Sequence, residues 1–130
     1  MKKPTRKWTF DIIHHSHTDI GYTERQEKIE RSHVHFIKQA LQILSSLKSG
    51  EKSNWEGFKW TCETFWAVER FLAQATNDEA QAFQAYVRSG DISLSGTYLN
   101  MTELIDADLL ARMIKRSTKY ANSIGVTLDS

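Results

Sequence analysis

Strand-sized apolar runs alternate with amphipathic helical stretches along this chain, and that order restricts its fold more than any other property. Trp8-Thr9-Phe10-Asp11-Ile12-Ile13 mixes aromatic and β-branched residues over a strand's length, then gives way to a polar stretch ending near Gly21. From about Arg25 to Leu47, the apolar residues Ile29, Phe36, Ile37, Ala40, Leu44 and Leu47 recur at helical spacing, with Gly50 as a stop. Ser49 to Gly57 is a polar connector, and Phe58-Lys59-Trp60-Thr61-Cys62 reads as a second strand. Two short helices should follow. Phe65, Val68 and Leu72 form the apolar face of the first; the second opens on a capping box, Thr76-Asn77-Asp78-Glu79, and buries Ala80, Phe83 and Val87 before Gly90. Asp91 to Ser95 alternates as a third strand would, and Leu110, Met113, Ile114, Tyr120, Ala121 and Ile124 mark a last helix ending at Gly125. Val126-Thr127-Leu128 is expected to begin a fourth strand.

Strands joined through helices pair in parallel, because a parallel partner is reached only by a crossover. A parallel sheet is covered on both faces and normally has more strands than these. The expected fold class is therefore α/β, with residues 1–130 forming part of a domain rather than a finished one.

Composition narrows the functional classes. At 130 residues, 40% hydrophobic and 25% charged, the chain can bury one core. Its 17 basic and 16 acidic residues are interspersed, for a formal charge of +1, so nucleic acid and anionic membranes are not expected partners. The apolar run at Trp8–Ile13 is too short for a secretory signal and is broken by Asp11, and no transmembrane stretch is present. Cys62 is the single cysteine, so no internal disulfide can form. A cytoplasmic location is the simplest expectation.

The chemistry concentrates in His15-Ser16-His17-Thr18-Asp19. In an extended segment, His15, His17 and Asp19 leave the same face, and imidazole nitrogen and carboxylate oxygen are usual zinc donors. In parallel α/β folds ligands bind beyond the carboxyl ends of strands, which is where this segment falls. A polar loop that happens to contain histidines is the alternative. His33 on the apolar stripe and His35 off it read as a packed and a solvated histidine, and Cys62 as a small buried hydrophobe. Glu63 ends the second strand at the same rim; a site-facing carboxylate and a solvated, helix-starting one are both open. Trp55, Phe58, Trp60, Phe65 and Trp66 read mainly as core, whereas Tyr22, directly after the histidine cluster, could wall a substrate pocket.

His15-Ser16-His17-Thr18-Asp19-Ile20-Gly21-Tyr22 resembles the His-Ser-His-x-Asp-x-Gly-Trp hallmark of glycoside hydrolase family 38, the zinc-dependent α-mannosidases. Tyr22 departs from that pattern but keeps an aromatic ring. Two further stretches look similar in order and spacing: Trp60 to Phe65 resembles the family's second strand and helix, and Ser95 to Glu103 its Gly-Gly-Trp-containing segment. The resemblance implies the amino-terminal portion of a seven-stranded β/α barrel of the glycoside hydrolase/deacetylase type. It implies His17 and Asp19 as zinc ligands, with His15 the second choice, and Tyr22 against an α-mannoside or related carbohydrate.

Family chemistry is retaining, through a covalent glycosyl intermediate, with zinc holding the 2- and 3-hydroxyls of the sugar. The resemblance assigns no nucleophile within this chain; Asp129 falls a few residues early. The expectation is thus a fragment carrying half a metal site and prone to self-association through uncovered apolar surface. A polysaccharide deacetylase, in which zinc would activate water, is the enzymatic alternative, and a non-catalytic metal-binding or assembly module is the other.

Overall fold

A computed structural model describes residues 6–10, 15–50, 54–100 and 104–128. Among these, four helices and two strands follow in the order α1 (Gln26–Lys48), β1 (Trp60–Cys62), α2 (Phe65–Leu72), α3 (Asn77–Ser89), β2 (Ile92–Leu94) and α4 (Ala107–Ser123). β1 and β2 pair in parallel, with Trp60 opposite Ile92, Thr61 opposite Ser93 and Cys62 opposite Leu94. On the other side of β1, His15 forms a parallel bridge to Thr61. Three chain segments thus run side by side in one direction, with α1 connecting the first to the second and α2–α3 the second to the third.

α1 packs mainly against α2 and α3. Its stripe of Val34, Ile37, Leu41 and Leu44 packs into one core with Phe65, Val68 and Phe71 of α2, Phe83 and Val87 of α3, and Ile92 and Leu94 of β2. Val68, Phe71 and Phe83 have no exposed surface, and the rings of Phe71 and Phe83 lie 5.2 Å apart between centroids. Ile37, Leu44, Phe65, Val68, Phe83 and Val87 take the buried places expected from the periodicity, whereas Ile29, Phe36, Leu47 and Ala80 are only partly buried, Ile114 is 43% exposed, and Val34 and Leu41 complete the α1 stripe.

α3 begins on the expected capping box. The Glu79 amide donates to Thr76 Oγ1 (3.2 Å) and the Thr76 amide donates to Glu79 Oε2 (2.9 Å), satisfying two otherwise orphaned donors. The helix ends at Gly90, whose φ of 75° lets the Asp91 amide reach back to the Tyr86 carbonyl at 3.0 Å.

α2 starts differently. Thr64 makes no side-chain cap; the amides of Phe65 and Trp66 instead donate to the carbonyls of Thr97 (2.9 Å) and Tyr98 (3.0 Å). The loop after β2 therefore closes the amino end of α2 and leaves the Thr64 hydroxyl for another partner. Buried Ser117 of α4 ties the same loop down, donating to the Gly96 carbonyl at 2.6 Å.

Two strand expectations differ from the structure. Val126–Leu128 is not a strand: with Gly125 at φ 74°, the Val126 amide donates to the Ala121 carbonyl at 2.9 Å, so that donor closes α4 and is lost to any ladder. In the first run, Trp8 and Phe10 are 68% and 82% exposed and outside any strand, while Asp11–Ile13 lie outside the described residues. Strand pairing in this segment is seen at His15. Among the described residues the sheet has two strands and does not close into a barrel, and no helix is long and apolar enough to cross a membrane.

Candidate functional site

The bridge between His15 and Thr61 sets the geometry of the site. Side chains alternate along extended chain, so two residues beyond each bridge partner, His17 and Glu63 come abreast on one face, past the carboxyl end of β1. Their side chains meet: His17 Nδ1 lies 2.9 Å from Glu63 Oε1, and His15 Nδ1 approaches the same oxygen at 3.5 Å. The second carboxylate oxygen, Oε2, accepts the backbone N–H of Thr18. Asn100, from the loop after β2, adds a side-chain hydrogen bond to the same carboxylate. Behind this contact, the Thr64 hydroxyl donates to the Thr18 hydroxyl at 3.2 Å, both residues being buried.

Electrostatics follow from those contacts. Burial pushes the Glu63 carboxyl upward, but the hydrogen bonds from His17, the Thr18 amide and Asn100 together outweigh it and hold the group down at about 2. Glu63 is therefore an anion at any physiological pH. His17 is raised from its ordinary value, first by the hydrogen bond to Glu63 and then by that residue's charge, with Asp19 adding to the shift. Asp19 is half-buried, and its charge is felt weakly at His17.

The remaining expected residues differ in setting. His33 is buried on α1, edge-on to Phe36 and Trp66 with centroids 5.7 and 6.1 Å away; burial lowers its pKa and outweighs the opposing charge of Glu63, with His17 also felt, so it is a neutral packing histidine within electrostatic reach of the site. His35 is exposed. Cys62 is 3% exposed, and burial pushes its thiol up to about 12, which removes it from nucleophilic chemistry at neutral pH. Tyr22 is 93% exposed on the loop after the cluster. Beside His15 lies a cleft of about 420 Å³ walled by Phe36, Trp55, Phe58 and Trp60, with Phe58 and Trp60 stacked at 6.4 Å.

His17 and Glu63 are thus brought into contact at one rim, while Asp19 reaches His17 only through its charge. Asn100 and the Thr18–Thr64 pair had no sequence signal of their own. Their roles come from register between segments distant in sequence, for which the only cue was that Glu63 ends a strand. Among the described residues, no group of three or more histidine, cysteine, aspartate or glutamate side chains is arranged to hold a metal ion. No protein-family model matches the chain, and neither a curated protein nor a solved structure matches it.

Proposed function

We propose that this chain carries part of the sugar-binding zinc site of an α-mannosidase-like retaining glycoside hydrolase, with His17 and Asp19 as two of the metal's protein ligands. The observation that carries the reading is the 2.9 Å contact between His17 Nδ1 and Glu63 Oε1. Histidines that bind metal through one ring nitrogen commonly give the other to a carboxylate, and this pair has that arrangement. The fit is partial: two donors leave a four-ligand site unfinished, so the remaining ligands would come from outside the described residues.

Bound zinc would supply a Lewis-acid anchor for adjacent sugar hydroxyls. The chain's own residues then have plain tasks. His17 presents its imidazole toward solvent, being 69% exposed at the side chain, while Glu63 holds the ring from behind. Asp19 adds negative charge beside it. The aromatic cleft next to His15 offers a surface on which a sugar face can rest. Retaining hydrolysis also needs two carboxyl groups roughly 5–5.5 Å apart, and the reading places that pair elsewhere in a β/α barrel completed around this segment.

Calorimetric titration of the 130-residue chain with zinc chloride tests the assignment. Weak binding that disappears in both His17→Ala and Asp19→Ala is expected. Affinity unchanged by either substitution would remove the metal site from this rim.

A further inference from the structure

We infer that Glu63 is a positioning residue: its two oxygens fix the tautomer of His17 and the backbone of Thr18, so that the His17–Asp19 segment is set in its ligand-binding shape before any ligand arrives. The tautomer and backbone effects stand on geometry alone; their consequence for metal capture rests on the function proposed above.

The two oxygens do separate things. Oε1 sits 2.9 Å from His17 Nδ1, and a carboxylate can only accept, so the ring proton belongs on Nδ1 and the lone pair on Nε2. A histidine free in water prefers the opposite tautomer, with its proton on Nε2. Oε2 takes the Thr18 amide, the peptide unit between His17 and the residue before Asp19's own backbone. With that amide anchored, His17 and Asp19 leave the chain on either side of a fixed point. Asn100 reaches the same carboxylate from the loop that closes α2, and the Thr64–Thr18 hydroxyl pair lies underneath. Glu63 therefore receives three donors, from the histidine segment and from the loop after β2, and its side chain is only 18% exposed. A glutamate kept merely for solubility would show neither property.

The test is nitrogen-15 NMR of the metal-free 130-residue chain near pH 8, read at the His17 ring and the Thr18 amide, followed by zinc chloride titration. In the unaltered chain the His17 proton should sit on Nδ1 and the Thr18 amide proton should be shifted strongly downfield. In Glu63→Ala the ring should revert to the Nε2–H form, the Thr18 shift should collapse, and zinc affinity should fall about 10- to 100-fold. Glu63→Gln keeps the volume and guards against a folding defect. Its amide has one acceptor oxygen, so it can satisfy His17 or Thr18 but not both, and one of the two signals must change.

An Nε2–H ring in the unaltered chain would overturn the inference. So would Glu63→Gln leaving both signals in place, or zinc binding through His17 that is indifferent to Glu63. If the tautomer reverts as expected but zinc binds neither form, the positioning role stands and the zinc assignment falls.

Discussion

Cys62 and Glu63 are adjacent in sequence and opposite in chemistry, because strand alternation turns one side chain into the core and the other to the rim. Burial raises the Cys62 thiol to about 12, from an ordinary value of 9.0. Its stabilising contribution as a neutral group is therefore complete below about pH 9 and is lost as pH rises toward 12. We expect the folded chain to resist a thiol reagent at neutral pH and to react fully in denaturant; stoichiometric labelling of the native chain would contradict the burial. Replacing Cys62 with Ala should flatten the alkaline limb of stability, measured as denaturation midpoint against pH. At this scale the sequence disclosed donor types but not partners. His17 and Asp19 were legible because their spacing lies within one segment, and Glu63 stayed ambiguous because its partner is 46 residues away. Asn100 carried no cue at all, since one amide in a polar loop has no periodicity to betray it.

The α3 helix shows what local rules decide unaided. Its capping box was legible residue by residue, and the structure adds a second use for the same carboxylate: Lys38 of α1 meets Glu79 at 2.8 Å. Thr76→Ala should cost about 1 kcal/mol of unfolding free energy, read from urea denaturation. The Glu79 carboxyl is lowered, first by the hydrogen bond from Lys38 and next by that from the Thr76 amide. A depressed carboxyl stabilises above its ordinary range and loses that contribution as pH falls through the lowered value, so Glu79→Gln should blunt the acid limb of stability. No loss of acid sensitivity in that variant would mean the pair does not form in solution. Val126–Leu128 shows the opposite case. Its β-branched composition suits a strand, but Gly125 one residue earlier can adopt a left-handed turn, and helix closure claims the Val126 amide first. Propensity was readable there; the competition for a single donor was not.

One core serves every element except the rim segment. Phe71 lies at its centre, fully buried against Phe83, so Phe71→Ala should lower unfolding free energy by about 3–5 kcal/mol, a large share of the 5–15 kcal/mol typical of a domain. Chemical denaturation should show the midpoint falling with little change in slope; a loss below about 1 kcal/mol would place the ring outside the cooperative core. The parallel βα order was legible from hydrophobic periodicity, whereas how many strands gather into one sheet was not, since that depends on contacts across long separations. The bridge at His15 carries a consequence for folding. Its two sides are joined through the whole of α1, and parallel pairings across such a crossover form slowly, after loop entropy has been met by helix docking. The histidine motif is therefore not portable: a short peptide bearing residues 15–19 would keep the imidazoles and the aspartate yet lack the carboxylate that aims them, and during refolding its ring environment should mature in step with the last phase of compaction.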